Sequence, residues 1–157
     1  MRRLGTFLGA VGLAAAGVVL PATAAHAGPG CDAKWPGRDG YVRAWDGYDC
    51  QGTLLGATVG DDAHWGDGEG AFTWDKMDRA SSVMNSGYYG GRDVVAFYYM
   101  EYHDYERGYA CLAPGELYVD DLSRNRFHNQ VEGSVDNNIR SHRWVTASEC
   151  AAGSWMS

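Results

Sequence analysis

Two polar runs, one in each half of the sequence and each emptying into a strand-like apolar segment, constrain this chain more than any other feature. The first is Trp74 to Asn85, WDKMDRASSVMN, and the second is Asp136 to Val145, DNNIRSHRWV. Setting Asp78 against Asn138 places them sixty positions apart, with Ser81 on Ser141 and Ser82 on His142. A polar cluster that recurs once at the same point in each half is what a duplicated supersecondary unit leaves behind.

The segment before the duplicated region reads as an export leader. Arg2 and Arg3 precede an apolar run from Leu4 to Leu20, and Ala25-His26-Ala27 offers a small-residue cleavage site before Gly28. Gly5, Gly9, Gly12, Gly17 and Pro21 interrupt the run, which argues for a leader at 1–27 rather than a membrane anchor. The expected product is a secreted, extracellular domain over 28–157, a length that suits one compact unit. Losing the two leader arginines takes the net charge from −7 to −9. Such a field repels phosphate backbones, so nucleic acid and anionic membranes are not expected partners, and a monomer is expected.

Cys31, Cys50, Cys111 and Cys150 make an even count downstream of the leader, as expected of two disulfides in an exported chain. Three pairings are open to four cysteines. Cys31 with Cys50 and Cys111 with Cys150 is favoured because each bond then closes one half, stabilising by about 3 to 4 kcal/mol apiece.

Glycine and proline punctuate the sequence too often for long helices. Tyr41 to Trp45 alternates in the strand sense, with Val42 and Ala44 on one face and Tyr41, Arg43 and Trp45 on the other. Turn signals at Asp46-Gly47 and Gln51-Gly52 lead to a second run, Thr53 to Val59, which completes a hairpin. Gly60 to Gly70, GDDAHWGDGEG, has no period and reads as a mobile, solvated connection whose Trp65 alone reaches the core. Its acids do not follow the alternation of an EF-hand. Val94 to Tyr99 is the strongest strand signal, followed by strand-like runs at Tyr109 to Leu112 and Glu116 to Val119. Asp120 to Gln130 reads as a connector, a short helix or 3₁₀ turn with Leu122 and Phe127 inward. Short strands at close spacing with frequent turns predict an all-β sandwich or barrel.

The chemistry-bearing residues form no catalytic pattern by spacing. His64, His103, His128 and His142 lack zinc spacing and read as solvated loop histidines. Ser81, Ser82, Ser134 and Ser141 sit in no nucleophile elbow. The carboxylate pairs Asp61-Asp62, Asp120-Asp121 and Glu101-Asp104 read as solvated surface. Seven tyrosines crowd between Tyr88 and Tyr109, and alternation requires about half of the strand members to face away from the core. Exposed tyrosines suit protein interfaces and sugar stacking, while Tyr102 or Tyr105 is expected in a structural corner.

Two hairpins, each followed by a polar N/D-N/D-x-x-S/T-S run, resemble the βγ-crystallin proteins. The wording DRASSVMN after a Gly-rich hairpin is similar to their small secreted actinobacterial branch, which includes the Streptomyces metalloproteinase inhibitor. The resemblance implies a double Greek-key sandwich with motif one over about 38–90 and motif two over about 91–148. It also implies a calcium clamp with oxygens from Asp78, Ser81, Asn138 and Ser141 and the backbone carbonyls of Arg79 and Ile139. Met77 and His142 depart from the pattern, and Asp78 alone brings a formal negative charge, so any calcium bound there is weakly held.

The function implied by the resemblance is that of a secreted, non-enzymatic binding protein, a peptidase inhibitor whose partner is an extracellular protease. Its inhibitory loop is not identifiable here, since no two cysteines close a short loop around Cys111. A weakly calcium-binding structural or extracellular module is the alternative. A small glycan-acting enzyme is a third reading, resting on the acids and aromatics alone.

Overall fold

The computed structural model describes residues 28–129 and 133–157, so the leader expected at 1–27 lies outside the described residues. Among the described residues, no helix is long and apolar enough to cross a membrane. The chain is all-β apart from short helical turns. It opens with a helix, α1 (Pro29–Lys34), and continues through β1 (Val42–Trp45), β2 (Leu54–Thr58), β3 (Ser82–Asn85), β4 (Val94–Tyr98), β5 (Tyr109–Leu112), β6 (Tyr118–Val119) and β7 (Ser141–Val145). The connector expected after Asp120 is a single 3₁₀ turn at Leu122–Arg124, and Leu122 and Phe127 are both buried beside it.

The strands form two antiparallel sheets, ordered β2-β1-β3-β6 and β5-β4-β7. Each half of the chain completes the other half's sheet. Strand β6 comes from the second half yet pairs with β3. Reciprocally, Asp62 from the first half bridges His142 on β7, with backbone bonds of 3.0 and 2.9 Å. Neither half therefore has a finished sheet alone.

The alternating residues of β1 divide as their period predicts. Val42 and Ala44 enter the cluster between the sheets with Val83, Val95, Phe97, Ala110 and Leu112, whereas Trp45 enters a separate cluster on the outer face. Alternation fails in β4, where all five residues are buried. Its Val95 and Phe97 face the central core, and its Val94, Ala96 and Tyr98 face a third cluster outside the sheet. A strand covered on both faces is selected for apolarity at every position.

The disulfides supply those outer covers. Cys31–Cys50 ties α1 against the outer face of the first sheet, beside Trp45, Met84 and Tyr118. Cys111–Cys150 ties the C-terminal segment against the outer face of the second, beside Tyr98 and Tyr109. The favoured pairing is thus the one found. No free cysteine remains among the described residues.

The two polar runs match in backbone geometry, one position away from the alignment that their residue types suggest. Asp78 and Asn137 are both left-handed, at φ 57° each. The Asp78 amide donates to the Ile139 carbonyl at 3.1 Å, and the Asn137 amide donates to the Ala80 carbonyl at 2.8 Å. These reciprocal bonds set Asp78 against Asn137 and Ala80 against Ile139, a separation of fifty-nine positions rather than sixty. Ser82 then equates with Ser141, and Ser81 with Arg140. Residue types alone favoured the wrong register because Asn137 and Asn138 are identical.

Candidate functional site

The polar runs buttress two folded-over hairpins. Ser82 Oγ donates to the Gly47 carbonyl at 2.7 Å and accepts from the Cys50 amide at 3.0 Å. Ser141 Oγ donates to the Met100 carbonyl at 2.7 Å and accepts from the His103 amide at 3.3 Å. Each hydroxyl braces a pair of left-handed residues, Asp49 and Cys50 in the first hairpin and Tyr102 and His103 in the second. A non-glycine residue in that conformation costs about 1 kcal/mol and persists only where neighbours hold it.

The residues named for a calcium clamp divide accordingly. Asp78 meets a cation of the protein itself, since Arg140 Nε lies 3.0 Å from both carboxylate oxygens and a terminal nitrogen lies 3.0 Å from one. Glu101 stands 3.7 Å away on the guanidinium's other side, and these carboxylates reinforce its charge, Asp78 foremost. The Ile139 carbonyl accepts from the Asp78 amide, so these two are brought together. Ser81 is buried, its amide bonded to Trp45 and its carbonyl to Leu122. Asn138 turns its amide to the carbonyls of Ser134 and Asp136, and the Ser141 hydroxyl is committed to its hairpin. The Arg79 side chain reaches Asp46 and Asp75. Among the described residues, no group of three or more His, Cys, Asp or Glu side chains is placed to hold a metal.

The run Gly60–Gly70 departs from a solvated connection at its start. Asp61 accepts from the Trp144 amide at 2.8 Å, and buried Asp62 accepts from the amides of His64 and Phe72. Burial raises the Asp62 carboxyl above its ordinary range. Trp65 is fully buried and stacks on Phe72 with 4.0 Å between centroids. Its indole Nε1–H donates to Nδ1 of His142 at 2.8 Å. His142 is also fully buried, which corrects the expectation of a solvated loop histidine. Its Nε2 faces the Gly60 carbonyl at 3.0 Å. With Nδ1 accepting, Nε2 carries the proton of a neutral imidazole, and burial drives the group down to about 3.

The tyrosines also divide. Tyr105, not Tyr102, is the structural corner, packing edge-on against Tyr98 and Tyr109 at 5.0 and 4.7 Å. Tyr102 is 75% exposed. Tyr88 and Tyr89 are exposed on a loop held from below. Arg38 stacks on Tyr89 at 4.2 Å and donates to the carbonyls of Asn85 and Gly87. Asn85 is buried and donates to the carbonyls of Asp93 and Leu112. The loop thus leaves and re-enters the sheets at fixed points.

Beside this loop lies a groove of about 510 Å³, with Tyr88, Trp144, Asp61 and Arg92 in its lining. Glycines shape it. A Cβ on Gly87 would come within 2.6 Å of the Trp144 ring, and one on Gly40 within 3.1 Å of the Tyr88 ring, so both rings settle against bare backbone. Arg92 reaches the Trp144 carbonyl at 3.4 Å and lies 3.9 Å from Glu149. Spacing in the sequence had not singled out this groove. The available signal was three glycines, Gly87, Gly90 and Gly91, flanking two adjacent tyrosines, which turn chemistry alone also explains.

Fold and site together define an all-β domain of two antiparallel sheets, stapled by two disulfides and carrying one aromatic, mixed-charge groove. No protein-family model matches the chain, and no curated protein sequence matches it.

Proposed function

We propose that this chain is an exported, non-enzymatic binding protein of the βγ-crystallin-like double Greek-key type, and that its ligand seats in the groove beside Tyr88. The exchange of edges between the two halves, through β6 and Asp62, supports the double Greek key. So do the matched Ser82 and Ser141 buttresses. Two closed disulfides support export, because such bonds persist in oxidising compartments. The observation that carries the binding reading is the groove, where an exposed ring stands over a braced floor and little ordering is left to be done on binding.

An extracellular protease, the partner implied by the resemblance, takes second place. Inhibition by a substrate-like segment favours an extended exposed stretch, and the loop Tyr88–Arg92 turns through Gly90 and Gly91 at φ 104° and 70°. For calcium, the Asp78–Arg140 pair supports a reading in which the guanidinium is the standing cation at that position.

The test is a thermal-shift screen of the disulfide-closed protein against saccharides, peptides and nucleosides, run beside a Tyr88→Ala variant. A ligand of the folded state raises Tm. The expected result is a ligand that shifts the parent protein and not the variant. Inhibition of thermolysin-like or subtilisin-like proteases that survives Tyr88→Ala would overturn the groove as the binding face.

A further inference from the structure

We infer that the groove between Tyr88 and Trp144 is a subsite for an uncharged saccharide, an inference that rests on the groove being the binding face. Its volume of about 510 Å³ lies within the roughly 300–1,000 Å³ of small-ligand sites. Three features select the ligand class.

The first is the aromatic surface. Tyr88 is 65% exposed, and Gly40 beneath it bears no side chain to tilt the ring away. A ring offered this way takes a ligand with a broad apolar face, such as the C–H face of a pyranose, through weak contacts that add over the area. Trp144 is 8% exposed and serves as floor, pressed against Gly87.

The second feature is the pairing of Asp61 with Arg92 in the same lining. A carboxylate accepts in its plane and a guanidinium donates in its plane, which suits vicinal hydroxyls able to do both. One Asp61 oxygen is held by the Trp144 amide at 2.8 Å, and the other stands 4.0 Å from Arg143. Arg92 is anchored at one nitrogen by the Trp144 carbonyl. The two planar groups are thus fixed through one residue, Trp144.

The third feature is charge. One acid and one base line the groove, so neither an anion nor a cation is selected, and the net −7 of the chain repels polyanionic sugars at long range. Glycines at 40, 60, 87 and 90 leave the walls low, so a ring within a longer chain can enter without a free end.

The experiment titrates malto-, cello- and chito-hexaose, with a sulfated heparin hexasaccharide as the anionic control, into the disulfide-closed protein by calorimetry. At least one neutral hexasaccharide is expected to bind and the sulfated one to bind less tightly. Tyr88→Ala should weaken binding about tenfold, the scale of one lost aromatic contact, while Tyr102→Ala, at a tyrosine exposed still further on the second hairpin, should not. Arg92→Gln should weaken it and leave Tm unchanged. No binding by any neutral hexasaccharide, or binding indifferent to Tyr88→Ala, overturns the inference. If a peptide or nucleoside instead binds in a Tyr88-dependent way, the saccharide inference fails while the groove remains the binding face.

Discussion

The indole Nε1–H of Trp65 donates to Nδ1 of His142 at 2.8 Å, joining two fully buried side chains from opposite halves of the chain. Trp65 lies three residues beyond Asp62, the residue that bridges β7, so one short segment supplies both a backbone and a side-chain bond to the second sheet. The histidine is held neutral and its second nitrogen is satisfied by Gly60.

That arrangement predicts a pH dependence with a definite sign. The folded imidazole is depressed to about 3, whereas the unfolded one titrates near 6.5. Below 6.5 the unfolded chain takes up a proton that the folded chain refuses, so stability is full above 6.5 and falls toward 3. The slope approaches about 1.4 kcal/mol per pH unit below pH 6. Asp39, held at about 2 by Arg43 first and Ser86 after it, loses its contribution below the ordinary 3.8 of a carboxyl. Glu149, lowered first by the Thr146 amide, loses its own from about 4.5 downward, and Asp62, raised by burial, acts in the opposite sense. The histidine's share is therefore the difference that its replacement makes between pH 4.5 and 7. Urea midpoints at pH 7, 5.5 and 4.5 check this, and His142→Gln is expected to flatten the profile in that interval.

Ser82 and Ser141 perform one task in two hairpins, so their removal should cost alike. Ser82→Ala and Ser141→Ala each strip two backbone groups of a partner and are expected to destabilise by about 1–3 kcal/mol. The two hydroxyls serve different hairpins on different sheets. Their effects should therefore add within about 0.5 kcal/mol in the double variant, as measured by denaturant unfolding.

The disulfides differ in the loops they close, with sequence separations of 19 and 39. Replacing either pair with alanine is expected to cost about 2–5 kcal/mol. The longer loop should cost more by roughly 0.6 kcal/mol on chain entropy alone. Equal losses, or a reversed order, would assign the effect to the outer-face packing of Trp45 and Tyr98 instead.

The Asp78–Arg140 pair is about one-third exposed on each side, at 31% and 27%. Its bidentate geometry places it above the usual surface pair, and Arg140→Ala is expected to cost about 1–2 kcal/mol after screening by solvent. With the guanidinium in place, millimolar calcium should leave the Tm of the parent protein where a chelator leaves it. A calcium-dependent rise would show that the metal competes successfully with Arg140.

Much of the fold was legible because strand periodicity is a local property. Val42, Ala44 and Trp45 sort to their faces by alternation alone, and the apolar run at β4 marks a strand, whose burial on both faces comes from the cover that the Cys111–Cys150 segment supplies. The disulfide pairing followed from a preference for local closure. The site was less legible. His142 follows Arg140 and Ser141 in a polar run and looks solvated until Asp62 and Trp65 are folded over it. Tyr102 and Tyr105 are alike in sequence, yet a left-handed turn exposes the first and packs the second against Tyr98.

By itself the sequence determined that there are two strand-and-turn units, where their strands begin and which side chains alternate inward, because a residue's face depends on its neighbours at a period of two. Only the tertiary structure decided the register between the units, since Asn137 and Asn138 differ in nothing but which one bonds to Ala80 across the molecule. It alone set Arg140 against Asp78 and brought Asp61, Tyr88 and Trp144 to one groove. Those contacts join residues dozens of positions apart, and a pairing of that range is decided by the packing of both sheets at once rather than by any stretch of chain.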